Sequence, residues 1–244
     1  QVKDWKSPIE NYSSELVVQF KKVLSQLVNF NELVHPAPRM FIPENHDFFR
    51  FIMCSDAGDY AVGNTCHIQS LSEEGIVFTN LASTKQKISK ISTPTGELMG
   101  ICQSLLFLIE ILTYNCFKTL LKKKKTTTVL VTDSMSALSS LNTSKKLACI
   151  KQRNLVMSFH RLANEITISF PCMKIVVTHL QSSKISADFL TKPQDNVIES
   201  CNSPVFRQGP ECYQDITWPL PERSFIVVEN GKPPMYNHAV AEQH

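Results

Sequence analysis

Residues 48–54, Phe-Phe-Arg-Phe-Ile-Met-Cys, limit the possible folds of this chain more than any other stretch. The run is too densely apolar for a half-exposed strand with alternating polarity. It suits a strand buried on both faces, inside a sheet covered from both sides. Residues 126–132, Thr-Thr-Thr-Val-Leu-Val-Thr, are β-branched and apolar and predict a second such strand. Each run leads directly into an aspartate, Asp56 after the first and Asp133 after the second. Further strands are expected at 61–68, 76–81 and 173–178, the first two separated by a polar turn at 70–75. Helices are expected from Thr93, over 134–141 and 147–166, and from Ser186, with Thr93 as N-cap and Pro94 at the first helical position. The resulting order, β-β-β-α-β-α-α-β-α, is that of an α/β domain.

The flanks differ in texture. Residues 1–45 hold an amphipathic run (Leu16, Phe20, Val23, Leu24, Leu27) and then Pro36 and Pro38, which end any helix and suggest a linker. Residues 194–244 are Pro-rich and read as an extended tail. The domain proper is therefore expected at 46–193. The chain opens on Gln1, not Met, and is read as a piece of something longer.

Composition excludes several classes. Hydrophobic residues make up 43% of 244, enough for a buried core, and 7 glycines with 13 prolines exclude collagen-like sequences. A formal charge of +3 is too small to indicate nucleic-acid binding by itself. The 8 cysteines form no C-x-x-C pair and no zinc spacing, so they are read as structural thiols in a reducing, intracellular setting. No secretory apolar block follows the polar start. Residues 98–117 could pass for a membrane span, but Glu110 lies inside them, and a mid-span acid opposes insertion by roughly 2.5–3.5 kcal/mol. They are read as a buried helix of a soluble fold, and no membrane partner is expected.

Four acids stand at the edges of predicted elements: Asp56, Glu97, Asp133 and Asp188. Each alone has a structural explanation. Asp133 and Asp188 suit helix N-termini, Asp56 a turn before Gly58, and Glu97 the first helical turn. Together they suggest something else. If the strands ending at Asp56 and Asp133 are neighbours, both acids end at one sheet edge, with Glu97 facing them from the crossing helix. Carboxylates so placed repel unless cations neutralise them, and Mg²⁺ or Mn²⁺ is the natural occupant. Two such ions held roughly 3.5–4 Å apart cleave phosphodiesters.

The pieces around these acids are Cys54-Ser55-Asp56-Ala57-Gly58, Ser83-Thr84-Lys85 leading to Thr93-Pro94-Thr95-Gly96-Glu97-Leu98, Thr132-Asp133-Ser134, and Ala187-Asp188-Phe189-Leu190-Thr191-Lys192. In this order, with 41, 36 and 55 residues between acids, they resemble the ribonuclease H domain of long-terminal-repeat retrotransposon polyproteins, most closely the Bel/Pao group. Two details depart from that group: Gly96 stands where a bulkier residue is usual, and Leu190-Thr191-Lys192 looks like Copia-type elements.

The resemblance implies a ribonuclease H-like fold, a five-stranded mixed sheet of three antiparallel strands then two parallel, flanked by helices. It implies an endonuclease hydrolysing the RNA strand of RNA–DNA hybrids with two Mg²⁺ ions, for which Mn²⁺ can substitute. Asp56, Glu97, Asp133 and Asp188 would be the catalytic metal ligands, and His179 an auxiliary group, although a structural histidine is the simpler reading. Partners would be the hybrid and the reverse transcriptase region of the same polyprotein. Residues 1–45 would connect to that region, and 194–244 would lead toward an integrase region. The setting would be the cytoplasm or a virus-like particle.

Hybrid binding also needs phosphate contacts and a reader of the 2′-hydroxyl. Lys122, Lys123, Lys124 and Lys125 form the densest basic cluster, followed by Lys85, Lys87 and Lys90. A run of this kind is equally a solvated, aggregation-resisting edge. Gly58 is the candidate for close backbone approach to a ribose, and Asp59 is read as a solvated turn residue. Two rivals stand beside this reading: a catalytically silent ribonuclease H-like connection domain, and another two-metal nuclease such as an integrase.

Overall fold

Successive residues of the first strand, β1 (His46–Ala57), point into two separate cores. Phe49, Phe51 and Met53 join the larger one, while Ile52 and Cys54 join the smaller. The strand is thus covered on both faces, as its dense apolar run requires. The structure, a computed structural model, describes residues 13–33, 46–72, 75–121, 124–142, 147, 149–192, 203–219, 226–229, 232 and 234–236. The proline linker at 34–39, the middle of the 70–75 turn, Lys122, Lys123 and Cys201 lie outside the described residues.

β1 pairs antiparallel with β2 (Ala61–Ser72), and β2 antiparallel with β3 (Gly75–Lys87). On its other side β1 runs parallel to β4 (Thr126–Thr132), which runs parallel to β5 (Met173–His179). These five strands are the mixed sheet the resemblance implies. The strand number needs correction, however. β6 (Ile226–Val228) and β7 (Met235–Tyr236) extend the sheet to seven strands in the order β3-β2-β1-β4-β5-β6-β7. At 3 and 2 residues, inside a Pro-rich stretch, neither is long enough to show a period in the sequence.

One face of the sheet carries the helices. Apart from them, α1 (Ser14–Leu33) spans the expected amphipathic run, with Val18, Phe20 and Leu24 exposed. α2 (Thr93–Leu112) is the central helix, long and apolar enough by composition to cross a membrane, yet 67% of its apolar window is buried inside the protein. Its Leu98, Ile101, Leu105 and Leu108 pack on β1 residues and on Phe159, Leu162 and Ile166 of a later helix, α5 (Ile150–Ser169). The helix begins one residue earlier than expected, with Ser92 as N-cap, and stops at Thr113. Two shorter helices, α3 (Asn115–Leu121) and α4 (Met135–Asn142), complete this layer.

The other face is closed by the C-terminal part of the chain. Ile52, Cys54, Val129 and Val131 pack against Ile185, Ala187 and Tyr213, flanked by Trp218. Here lie the short α6 (Asp188–Thr191), α7 (Pro204–Gln208) and a 3-10 turn at Glu211–Gln214. The described residues of the stretch expected as an extended tail are therefore folded onto the sheet. The reason sits in β1. Arg50 is 2% exposed, and its guanidinium reaches the carbonyls of Tyr213 (3.3 Å), Asp215 (2.8 Å), Ile216 (3.4 Å) and Trp218, plus Gln69 Oε1 at 2.5 Å. A guanidinium has five N–H donors, and these acceptors use all of them. Tyr213 adds a fully buried ring whose hydroxyl meets Cys54 Sγ at 2.8 Å. Burial of a side chain of this size contributes about 1.5–3 kcal/mol. Among the described residues every cysteine is free, Cys54, Cys66 and Cys102 being buried core thiols.

Candidate metal centre

The parallel register decides where the acids fall. Cys54 of β1 pairs with Val131 of β4, so Asp56 and Asp133, each two residues further on, leave the sheet at the same level. Glu97 reaches them from α2, as its fifth residue rather than in its first turn. The helix can lie this close because Gly96 has no side chain: a Cβ there would stand 3.2 Å from Ala57 Cβ. The glycine that departs from the family pattern is therefore what seats Glu97 against β1. One carboxylate oxygen from each of Asp56, Glu97 and Asp133 lies within 4.8 Å of the others.

This cluster is charged, partly desolvated and incompletely satisfied. Asp56 and Glu97 are buried, and Asp133 is half-buried. Burial, then the Asp56 and Asp133 charges, push Glu97 up to about 8, with a hydrogen bond from the Ala57 backbone pulling the other way. Asp56 is also raised, by burial first and then by Asp133 and Asp188, while the Thr191 hydroxyl bond opposes the shift. Glu97 Oε2 is buried with no hydrogen-bond partner. Unit charges this close repel by about 3–4 kcal/mol at the effective dielectric of protein sites. An orphaned buried oxygen normally costs about 1–3 kcal/mol. A hard divalent cation among these oxygens would relieve both penalties, and the all-oxygen donor set fits Mg²⁺ or Mn²⁺.

Asp188 stands outside that group of three. It opens α6, where Ser182 Oγ donates to its Oδ1 at 3.0 Å and Lys192 Nζ lies 2.6 Å from the same oxygen. The preceding residue, Thr191, donates its hydroxyl to Asp56 Oδ2. One turn of helix thus holds two of the four acids. α6 lies tight on β2 because of Gly63, where a Cβ would come 2.6 Å from Leu190 Cβ. His179, at the end of β5, donates from Nε2 to the Asp133 carbonyl at 3.2 Å and so fixes the backbone that carries this acid.

Thr191 and Lys192 entered the sequence reading only as part of a motif. A signal was available: they follow Asp188 by three and four residues, the spacing at which helical side chains meet. Asp59 is exposed in the β1–β2 turn. Gly58, in the same turn, faces Thr191, whose carbonyl would lie 3.3 Å from a Cβ at Gly58.

The lysines separate into two groups. Lys85 and Lys87 are exposed on β3, opposite Gly63 and Ala61 of β2, and Gly63 in turn pairs with Asp56. They share the acid end of the sheet, two strands or about 10 Å from β1. Lys124 and Lys125 are exposed just before β4 begins, whereas Asp133 follows its end. A strand of seven residues puts them about 23 Å away from the acids.

The family model described as "Pao retrotransposon-like RNaseH-like domain" matches residues 1–134, which include Asp56, Glu97 and Asp133. No curated protein matches the chain. Among solved structures, ribonuclease H1 from the archaeon Halobacterium salinarum NRC-1 is 14% identical over 58% of this chain and 93% of that one, with a TM-score of 0.39. The N-terminal RNase H domain of a Mycobacterium tuberculosis protein is 14% identical over 62% and 94%, with a TM-score of 0.40. The prototype foamy virus protease–reverse transcriptase is 9% identical over 61% of this chain and 19% of its own, with a TM-score of 0.36. At such scores each is a likeness and nothing more.

Proposed function

Because the chain belongs to the family of Pao retrotransposon-like RNaseH-like domains, we propose that it hydrolyses the RNA strand of RNA–DNA hybrids with two divalent ions during reverse transcription. One observation carries this reading: three carboxylates within 4.8 Å, of which Glu97 keeps a buried, unpartnered oxygen. Asp56, Glu97 and Asp133 would hold the first ion, and Asp188 would complete the second position. When bound, such ions activate a water and stabilise the leaving oxygen of a phosphodiester. The protein's own part is positioning. Thr191 orients Asp56, His179 holds the Asp133 backbone, and the close seat of α2 keeps Glu97 in the cluster.

The hybrid would be supplied by a reverse transcriptase region of the same polyprotein. Lys85 and Lys87 would meet its phosphates beside the site, with the Gly58 turn nearest the ribose. Lys124 and Lys125 would contact it only well away from the cut. The competing reading, a silent structural domain, draws on one observation: Asp188 is already engaged by Lys192.

A labelled RNA–DNA hybrid incubated with Mg²⁺ or Mn²⁺ separates the two. Cleavage of the RNA strand, with single-stranded RNA and duplex DNA spared, is expected. Hybrid left intact by the folded, metal-supplied protein would overturn the enzymatic reading. An Asp133→Asn protein that cuts as fast as the parent would overturn the site.

A further inference from the structure

The ion pair between Lys192 and Asp188 resembles an ordinary surface pair, and a comparison shows where it differs. Arg161 and Glu165 on α5 form an i,i+4 pair at 3.0 Å, with both side chains more than half exposed. Lys192 and Asp188 are also four residues apart, at 2.6 Å, and the lysine is 59% exposed. The acid, however, is only 19% exposed and belongs to the proposed site. Its Oδ1 is occupied twice, by Lys192 Nζ and by Ser182 Oγ. The other three acids hold no lysine or arginine: among the described residues no ion pair involves Asp56, Glu97 or Asp133.

The Lys192 side chain is long and 59% exposed, so its ammonium has water as an alternative to Asp188. It can therefore leave Asp188 at small cost when a stronger cation arrives. A divalent ion among the first three acids meets no such competitor.

Resting on the metal-site reading above, we propose that Lys192 is a resident cation at the Asp188 position, which the second metal ion must displace. Loading is then ordered. The first ion enters the Asp56–Glu97–Asp133 group, and the second binds more weakly because it must evict an ammonium from Asp188. Lys192 is a positioning residue: it acts through Asp188 and sets how much free metal the centre needs to become complete.

The test is Mn²⁺ binding to the full chain without nucleic acid, followed by the electron paramagnetic resonance signal of free Mn²⁺. The parent protein should show a stronger and a weaker step, and Asp188→Asn should abolish the weaker one. Lys192→Gln should tighten the weaker step by about tenfold, the order of effect a neighbouring unit charge exerts, and leave the stronger step within about twofold. Lys192→Arg should behave as the parent, which loss of a merely structural contact would not explain. A weaker step unchanged or loosened in folded Lys192→Gln protein would overturn the proposal while leaving the metal site intact. So would a weaker step that survives Asp188→Asn. A folded parent that takes up no Mn²⁺ would overturn the metal-site reading, and this inference with it.

Discussion

Two buried ionisable side chains, Arg50 and Glu97, lie close to the same strand and are treated in opposite ways. Arg50, in the middle of β1, gives all five N–H donors to acceptors of its own chain and lies against the Phe48 and Trp218 rings. Glu97, packed at the end of β1, faces two other acids and leaves one oxygen without a partner. A buried charge is tolerated when paired and hydrogen-bonded. Arg50 meets that condition from within and is a structural fastener. Glu97 does not, and its deficit is what marks the site. Burial alone would have ranked the two together; the state of their hydrogen bonds separates them.

The largest effect expected from this contrast is on stability at Arg50. Arg50→Ala should cost about 3–5 kcal/mol in chemical denaturation, because it strands a group of carbonyls that water reaches poorly. Glu97→Gln should do the reverse: unchanged or slightly raised stability without metal, since a repelling acid is gone. Hybrid cleavage by that variant should fall by about a hundredfold or more, beyond the ~10–100-fold that outer partners of metal ligands cost. If Glu97→Gln unfolds the protein and Arg50→Ala does not, the assignment of roles is inverted.

The pH dependence sharpens the same contrast more gently. Glu97 is held up at about 8 in the folded chain, against an ordinary value of 4.5. Between these values the folded state binds the extra proton, so stability of the metal-free protein should fall as pH rises from about 4.5 through 8. Saturating Mn²⁺ should flatten that slope, and Glu97→Gln should remove most of it. Thermal melts across this range would show both. Burial lowers Arg50 only to about 10, so it stays charged throughout and adds no slope. The smallest effect is expected where charges are neither buried nor deficient: Arg161→Ala should change stability by only about 0.3–0.5 kcal/mol.

What was legible in the sequence follows from how local each signal is. Asp56 and Asp133 each close an apolar run, and a parallel register then makes them neighbours; the run and the acid lie within a few residues of each other. Glu97 was found as an acid near the start of a predicted helix, while the reason it fits, Gly96 against Ala57, is a contact between elements. The lysine run at 122–125 was visible as a cluster, but a cluster carries no direction. Its described members, Lys124 and Lys125, precede the strand that Asp133 follows, and strand polarity sends them and the acid to opposite ends. Arg50 stood in plain view inside an apolar run, the kind of exception that asks for partners. Its partners are backbone carbonyls, which every residue has, so no pattern of side chains could identify them.

Those carbonyls lie 163 to 168 residues after Arg50. A ribosome therefore releases β1 long before it makes the groups that satisfy the buried guanidinium. Until Trp218 emerges, the first strand must keep Arg50 in water, and the second face of the sheet cannot close. Folding of β1 is thereby tied to translation of residues 213–218. A fragment cut at 193, where the sequence suggests a boundary, would carry a complete set of acids on a sheet it cannot seal.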